Sequence, residues 1–323
     1  MRHVLFAVAV LLAFAGGLST GVFVPQVRSE MITAKRHVRE RLGLEKRWMQ
    51  PARRDPGDRD RADCPAPDEA LVLVTGGQSN AANTNSSLSR VPAGRPVFTW
   101  YRGACWRTRD PVLGAGGRGG SLWPDLGARL SAALDRPVIL LNGAIGGTQV
   151  ADWVDRRSGY LDNLEGAMAD IRDAGYRVDW ILWHQGETDA AVIESRAPFE
   201  TALTELTQEL EQAAPEALIY MFRASRCGRR GGPDSDKGRM VTGAQTAVAG
   251  ADPRVVAGMD TDVLGPDFRR DGCHFNGFAR DRVNAVVLRD LVALTAALPG
   301  AGAGARPASS AGRRRDDGGG QQG

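Results

Sequence analysis

Histidine is scarce: the 323-residue chain holds four, and two of them, His3 and His37, lie ahead of any foldable region. Any imidazole chemistry in the body therefore falls to His184 or His274. The His184-x-x-Glu187 pair lacks the second histidine one helical turn away that a zinc protease uses, so no metal is assigned. There is no internal repeat, and the 40 glycines and 17 prolines are too few and too aperiodic for collagen. Nor is there a basic face for nucleic acid, despite the formal net charge of +3. Sixteen of the 41 basic residues but only nine of the 38 acidic ones lie in Arg2, residues 28–63 and the segment from 298 onward, which leaves the body near −4. With 42 % hydrophobic residues the chain is too apolar to be wholly disordered, and long enough to bury a sizeable core.

The one long apolar run is Val4–Val24, stopped by Pro25; 21 residues at 1.5 Å each reach about 31 Å, close to the thickness of a bilayer's hydrocarbon layer. We expect residues 1–25 to be an N-terminal membrane anchor contacting the lipid bilayer, the alternative being a signal peptide that is cleaved. On this expectation the protein is exported and its folded body lies outside the cytoplasm, although the basic residues that follow the run argue for the opposite orientation. Residues 26–67 read as a charged spacer, with Val38, Leu42, Leu44 and Trp48 giving one weakly amphipathic helix. The Gly/Ala/Arg-rich end, 299–323, reads as disordered.

Between them, 68–298 forms one domain. Leu71–Thr75, Pro137–Asn142, Trp180–His184, Leu218–Arg223 and Val255–Asp260 read as five short strands buried on both faces. Leu122–Leu134, Tyr160–Ala174, Phe199–Ala214, Gly238–Ala249 and Ala279–Leu298 carry helical spacing. This alternation predicts the α/β class: a central, mostly parallel sheet with helices on both sides and the functional site outside the carboxyl ends of the strands.

Four polar, glycine-bearing clusters fall at those ends: Thr75–Asn80, Asn142–Thr148, His184–Asp189 and Asp271–Asn276. Acyl transfer needs a nucleophile, a base, a group that orients the base, and donors for an oxyanion. His274 has Asp271 three residues earlier to hold its second ring nitrogen. Ser79 sits just past a strand, Gly77 permits close backbone approach, Gly146 offers an unobstructed N–H, and Gln185 offers an amide. Singly, each has a structural reading as a turn, cap or core residue. Gly77-Gln78-Ser79-Asn80-Ala81 is not the Gly-x-Ser-x-Gly elbow of α/β-hydrolases, its fifth position being alanine.

Taken together, Gly77-Gln78-Ser79-Asn80, Gly146-Gly147-Thr148, Trp183-His184-Gln185-Gly186-Glu187 and Asp271-Gly272-Cys273-His274 resemble the SGNH/GDSL hydrolase superfamily, and within it the sialate O-acetylesterase-type carbohydrate acetylesterases. The resemblance runs over about residues 70–295 in the family's order. It implies a three-layer α/β/α, flavodoxin-like sandwich and a serine esterase that uses no cofactor. It implies Ser79 as nucleophile, His274 as base and Asp271 as orienting acid. The Ser79 backbone, Gly146 and the Gln185 side chain become the oxyanion donors, with Glu187 in support. The expected reaction is hydrolysis of O-acetyl esters on a saccharide or glycan. An O-acetyltransferase using the same triad and a catalytically silent glycan-binding module are the alternatives.

Two loops rich in Arg and Gly, 102–120 and 228–239, are expected to rim the pocket. The four cysteines allow three pairings. Cys227–Cys273 with Cys64–Cys105 is expected, because the first pair falls on loops at the proposed active edge; four free thiols are the alternative.

Overall fold

Strand β2, Leu71–Gly77, is buried at all seven positions. A run so apolar on both faces can only sit in the middle of a layered structure. A computed structural model describes residues 56, 57, 59–228 and 232–297, and it places β2 at the centre of an eight-stranded sheet. The strands in chain order are β1 (Arg61–Ala62), β2, β3 (Val97–Trp100), β4 (Cys105–Arg107), β5 (Val138–Asn142), β6 (Trp180–His184), β7 (Leu218–Arg223) and β8 (Val255–Asp260). Their order across the sheet is β1-β4-β3-β5-β2-β6-β7-β8. The six from β3 to β8 in that order are parallel; β4 and β1 add an antiparallel edge.

The helices are α1 (Trp123–Leu134), α2 (Val150–Val154), α3 (Tyr160–Asp173), α4 (Glu187–Val192), α5 (Arg196–Ala213), α6 (Asp236–Ala251) and α7 (Gly277–Ala297). Helices α1 and α7 pack together on one face, where Leu71, Leu73, Leu140, Trp180 and Phe222 meet Trp123, Leu126, Val283, Val287 and Leu291. Helices α2, α3, α5 and α6 pack among themselves on the other. Asp290, the one polar residue on the apolar stripe of α7, accepts a hydrogen bond from the Tyr220 hydroxyl at 2.7 Å. The α/β class and the layering are as the alternation predicts.

Two expectations are corrected. The sheet has three strands more than five, and all three additions are two to four residues long, too short to show periodicity. The domain also begins earlier than 68, because part of the expected spacer is ordered. Arg61 and Ala62 pair with Trp106 and Cys105, Cys64 is disulfide-bonded to Cys105, and the Tyr176 hydroxyl donates to the Pro65 carbonyl at 2.7 Å. Composition predicts disorder from missing apolar area; a crosslink and strand pairing order the segment without it. The apolar run Val4–Val24, the amphipathic helix of the spacer and the tail from Pro299 lie outside the described residues. Among the described residues no helix is long and apolar enough to cross a membrane.

Candidate active site

The chain runs from β2 to β3 and β5 on one side and then crosses to β6 on the other, so the carboxyl end of β2 lies at the switch point of the sheet. Gly77 is required there twice over. Its φ is +109°, and a Cβ would lie 2.1 Å from the His184 carbonyl oxygen on β6. Ser79 follows as the first residue of a single 3-10 turn, Ser79–Ala81, and is 7 % exposed. Among the described residues, its Oγ and its backbone N–H make no hydrogen bond.

The other three clusters converge on this turn. Gly146 lies against Ser79: a Cβ on the glycine would stand 3.6 Å from the serine Cβ. Among the described residues the Gly146 N–H also donates to no acceptor. Gly146 therefore stands beside Ser79, as the sequence expects. The Gln78 side chain accepts from the Thr188 N–H at 3.0 Å, tying the turn to the start of α4. Asn80 donates to Glu187 Oε1 at 2.7 Å and to the Cys273 carbonyl at 3.2 Å, and accepts from the Phe275 N–H at 3.0 Å. The residue after Ser79 thus grips the chain on either side of His274.

Within that loop the Asp271 carboxylate folds the turn and holds the ring. Oδ1 accepts from the Cys273 and His274 N–H groups at 3.1 and 2.8 Å, and Oδ2 stands 2.8 Å from His274 Nδ1. Burial raises the Asp271 pKa, but the hydrogen bonds from His274 outweigh it and hold the carboxyl at about 2. Arg269 braces the same loop from below, donating to the carbonyls of Leu264, Thr261, Arg226 and Cys273 with its guanidinium over the Phe275 ring. The Cys227–Cys273 disulfide joins the loop to the segment after β7. Both cysteine pairings are those expected, with no free cysteine.

Gln185 is a correction. Its Nε2 donates to the Thr148 carbonyl at 2.7 Å and to Asp189 Oδ2 at 3.1 Å, so both amide hydrogens are spent on the protein and neither is offered to an oxyanion. Asp189, one turn on, competes for the amide while its Oδ1 accepts from the Val150 N–H at 2.9 Å. Gln185 and Asp189 therefore anchor the turn that carries Gly146. His184 is fully buried, its Nε2 3.0 Å from the Thr261 hydroxyl, and burial pushes its pKa down to about 3. It is a neutral core histidine. The 102–120 loop does reach the carboxyl edge: the Gly116 N–H donates to Ala144, and the Gly116 carbonyl accepts from the Asn83 N–H, each at 2.8 Å. Part of the 228–239 loop, residues 229–231, lies outside the described residues. Among the described residues no group of three or more His, Cys, Asp or Glu could hold a metal ion.

Sequence reasoning gave no role to Asn80, Asp189 and Arg269, whose hydrogen bonds tie the clusters together. Asn80 stands inside a quoted motif without a role, because its partners are more than 100 residues away. Asp189 carries a usable signal, lying one helical turn after Gln185; Arg269 carries none.

Glu187 and Asp189 also make the fold sensitive to pH. Burial pushes both carboxyls up to about 7, from 4.5 and 3.8, against the hydrogen bonds each accepts. The folded state then binds more protons than the unfolded chain between about pH 4 and 7, so each carboxyl lowers stability as pH rises through that window. His184 acts the other way between about 3 and 6.5, so the carboxylate effect must be read as a difference. Glu187→Gln keeps an oxygen acceptor for Asn80 and cannot ionise. Its thermal midpoint should gain on that of wild type as pH rises from 5 to 7.5, by the equivalent of about 2 kcal/mol. A pH-independent gap between the two would show that Glu187 titrates normally.

The carboxyl edge of the parallel strands thus presents a serine turn flanked by a glycine and a histidine loop, the arrangement implied by the resemblance noted in the sequence. Residues 127–286 match the family model for carbohydrate esterases described as sialic acid-specific acetylesterase. Among solved structures, a protein from Arabidopsis thaliana is similar at 17 % identity and TM-score 0.58, over 70 % of this chain and 98 % of that one. A carbohydrate acetylesterase from Xanthomonas citri is similar at 15 % identity and TM-score 0.45, over 67 % and 54 %. A search of curated proteins by sequence returned no match. Residues 127–286 thus carry the likeness to the sialic acid-specific acetylesterase family of carbohydrate esterases, and that match supports an esterase acting on acetyl ester bonds.

Proposed function

We propose that the chain hydrolyses O-acetyl esters of a saccharide or glycan through a Ser79–His274–Asp271 triad and an acetyl-enzyme. His274 Nε2 takes the Ser79 proton as Oγ adds to the ester carbonyl. Asp271 keeps the other ring proton on Nδ1 and stabilises the imidazolium. The carbonyl oxygen gains negative charge and is met by the unspent N–H groups of Ser79 and Gly146. Collapse of the adduct expels the sugar oxygen, which takes the proton from His274. Water, deprotonated by the same imidazole, then adds to the acetyl-serine, and collapse of that adduct releases acetate as Ser79 Oγ takes the proton back from His274. The observation that carries this reading is the grip of Asn80 on both neighbours of His274, since it ties the candidate base to the turn of the candidate nucleophile.

The test is covalent labelling. A fluorophosphonate probe should modify Ser79 stoichiometrically, and acetylated xylan, sialic acid or bacterial exopolysaccharide should release acetate in a reaction that the probe abolishes. Full acetate release after complete labelling would refute the proposal, as would modification at another residue. Export, with the domain held at a membrane by residues 4–24, is proposed from the apolar run alone and is tested by fractionating cells that express the full chain.

A further inference from the structure

We infer that Asn80 is a positioning residue for the catalytic base: its amide, one residue beyond the nucleophile, fixes where His274 stands by bonding the peptide groups on both sides of it. The inference rests on the assignment of Ser79 and His274 proposed above. An asparagine side chain has two N–H donors and one carbonyl acceptor, and Asn80 uses all of them. The donors go to Glu187 Oε1 at 2.7 Å and the Cys273 carbonyl at 3.2 Å, the acceptor to the Phe275 N–H at 3.0 Å, and the residue is 3 % exposed. Residues 273 and 275 flank His274, so two bonds from one rigid amide hold the backbone before and after the imidazole. Glu187 takes the remaining donor and so locks the amide's orientation.

Other braces of the loop act on one side or at a distance. Arg269 and the Cys227 disulfide both reach Cys273, and Asp271 holds the ring from within the loop. Of these, only Asn80 shares a turn with Ser79. Its covalent neighbour is the attacking residue, so a shift of the amide changes the separation of nucleophile and base directly. A displacement of about 1 Å at such a pair is worth about a hundredfold in rate.

Neither shorter nor acidic side chains reproduce the pattern. Alanine abandons all three partners. Aspartate keeps the acceptor for Phe275 but turns an oxygen toward Glu187 and the Cys273 carbonyl, where both donors were.

The test measures kcat and KM on an aryl acetate, the rate of fluorophosphonate labelling of Ser79, and the thermal midpoint. Asn80→Ala should lower kcat about 30- to 100-fold with KM changed less than threefold, and labelling should slow in parallel. Leu291→Ala, on the buried face of α7, serves as a control for lost stability and should keep kcat within twofold while the protein remains folded. If Asn80→Ala does not fold, Asn80→Asp is read in its place, with at least a tenfold loss of kcat expected at unchanged KM. Should Ser79→Ala retain turnover, the triad assignment falls and this inference with it. Should Ser79→Ala be inactive while Asn80→Ala or Asn80→Asp turns over within threefold of wild type, the inference alone is overturned.

Discussion

Ser79→Ala is expected to lower kcat on a sugar or aryl acetate by about 10⁵- to 10⁶-fold while leaving the fold intact. On the proposed mechanism no acetyl-enzyme forms without the hydroxyl, and what survives is the weaker help of the proposed oxyanion donors to attack by water. The fold should not notice. Ser79 Oγ has no partner among the described residues, and the bonds that build the turn are made by its backbone: the Ser79 carbonyl accepts from the Ala82 N–H at 3.0 Å and the Thr84 hydroxyl at 2.6 Å. Turnover should therefore vanish with the thermal midpoint within about a degree of wild type. A variant keeping more than a hundredth of the activity would remove the serine from the chemistry.

Asp271→Asn should cost about 10³- to 10⁴-fold in kcat, through the tautomer of the base. In the native loop Oδ1 accepts two backbone N–H groups and Oδ2 faces His274 Nδ1, which places the ring proton there and leaves the lone pair at Nε2. In the variant the amide oxygen keeps the two backbone donors, which turns the new NH₂ toward Nδ1. That nitrogen must then accept, the ring proton moves to Nε2, and the base is blocked.

The native carboxyl, held at about 2, is ionised throughout the range above pH 4 and gives the activity profile no inflection there. Since its folded pKa lies below its ordinary value of 3.8, the stability it contributes is present above about pH 4 and is lost as pH falls toward 2. The side chain is 44 % exposed, so solvent damps this contribution. Rate assays beside thermal melts at pH 3, 5 and 7 check both statements. A loss below tenfold would mean that Asn80, Arg269 and the disulfide orient the imidazole without the carboxylate.

The five long strands and five long helices were legible because each is long enough for burial to impose a pattern. Leu71–Val74 is continuously apolar because both faces are covered, and Val283, Val287 and Leu291 recur every three or four residues because one stripe of α7 meets the sheet. The short strands β1, β3 and β4 carry too few residues for any pattern, and β1 is ordered by partners about 45 residues away. That Ser79 emerges at a strand end and that Asp271 lies against His274 were legible because each follows from neighbours set close together in the chain. Gln185 misled. Its residue type suits an oxyanion donor, but residue type does not say where an amide points, and Thr148 with Asp189 claims it.

The amino-acid order alone determined the α/β layering, the edge of the sheet where the polar clusters emerge, and the pairing of Asp271 with His274, all of which follow from periodicity or from neighbours three residues apart. Tertiary structure decided what joins segments distant in sequence: the Asn80 amide across to residues 273 and 275, the anchoring of Gly146 through Gln185 and Asp189, and the ordering of residues 59–67 by Cys64–Cys105. These depend on the directions of hydrogen-bonding groups after folding, and direction is not a property of a residue's type or its place in the chain.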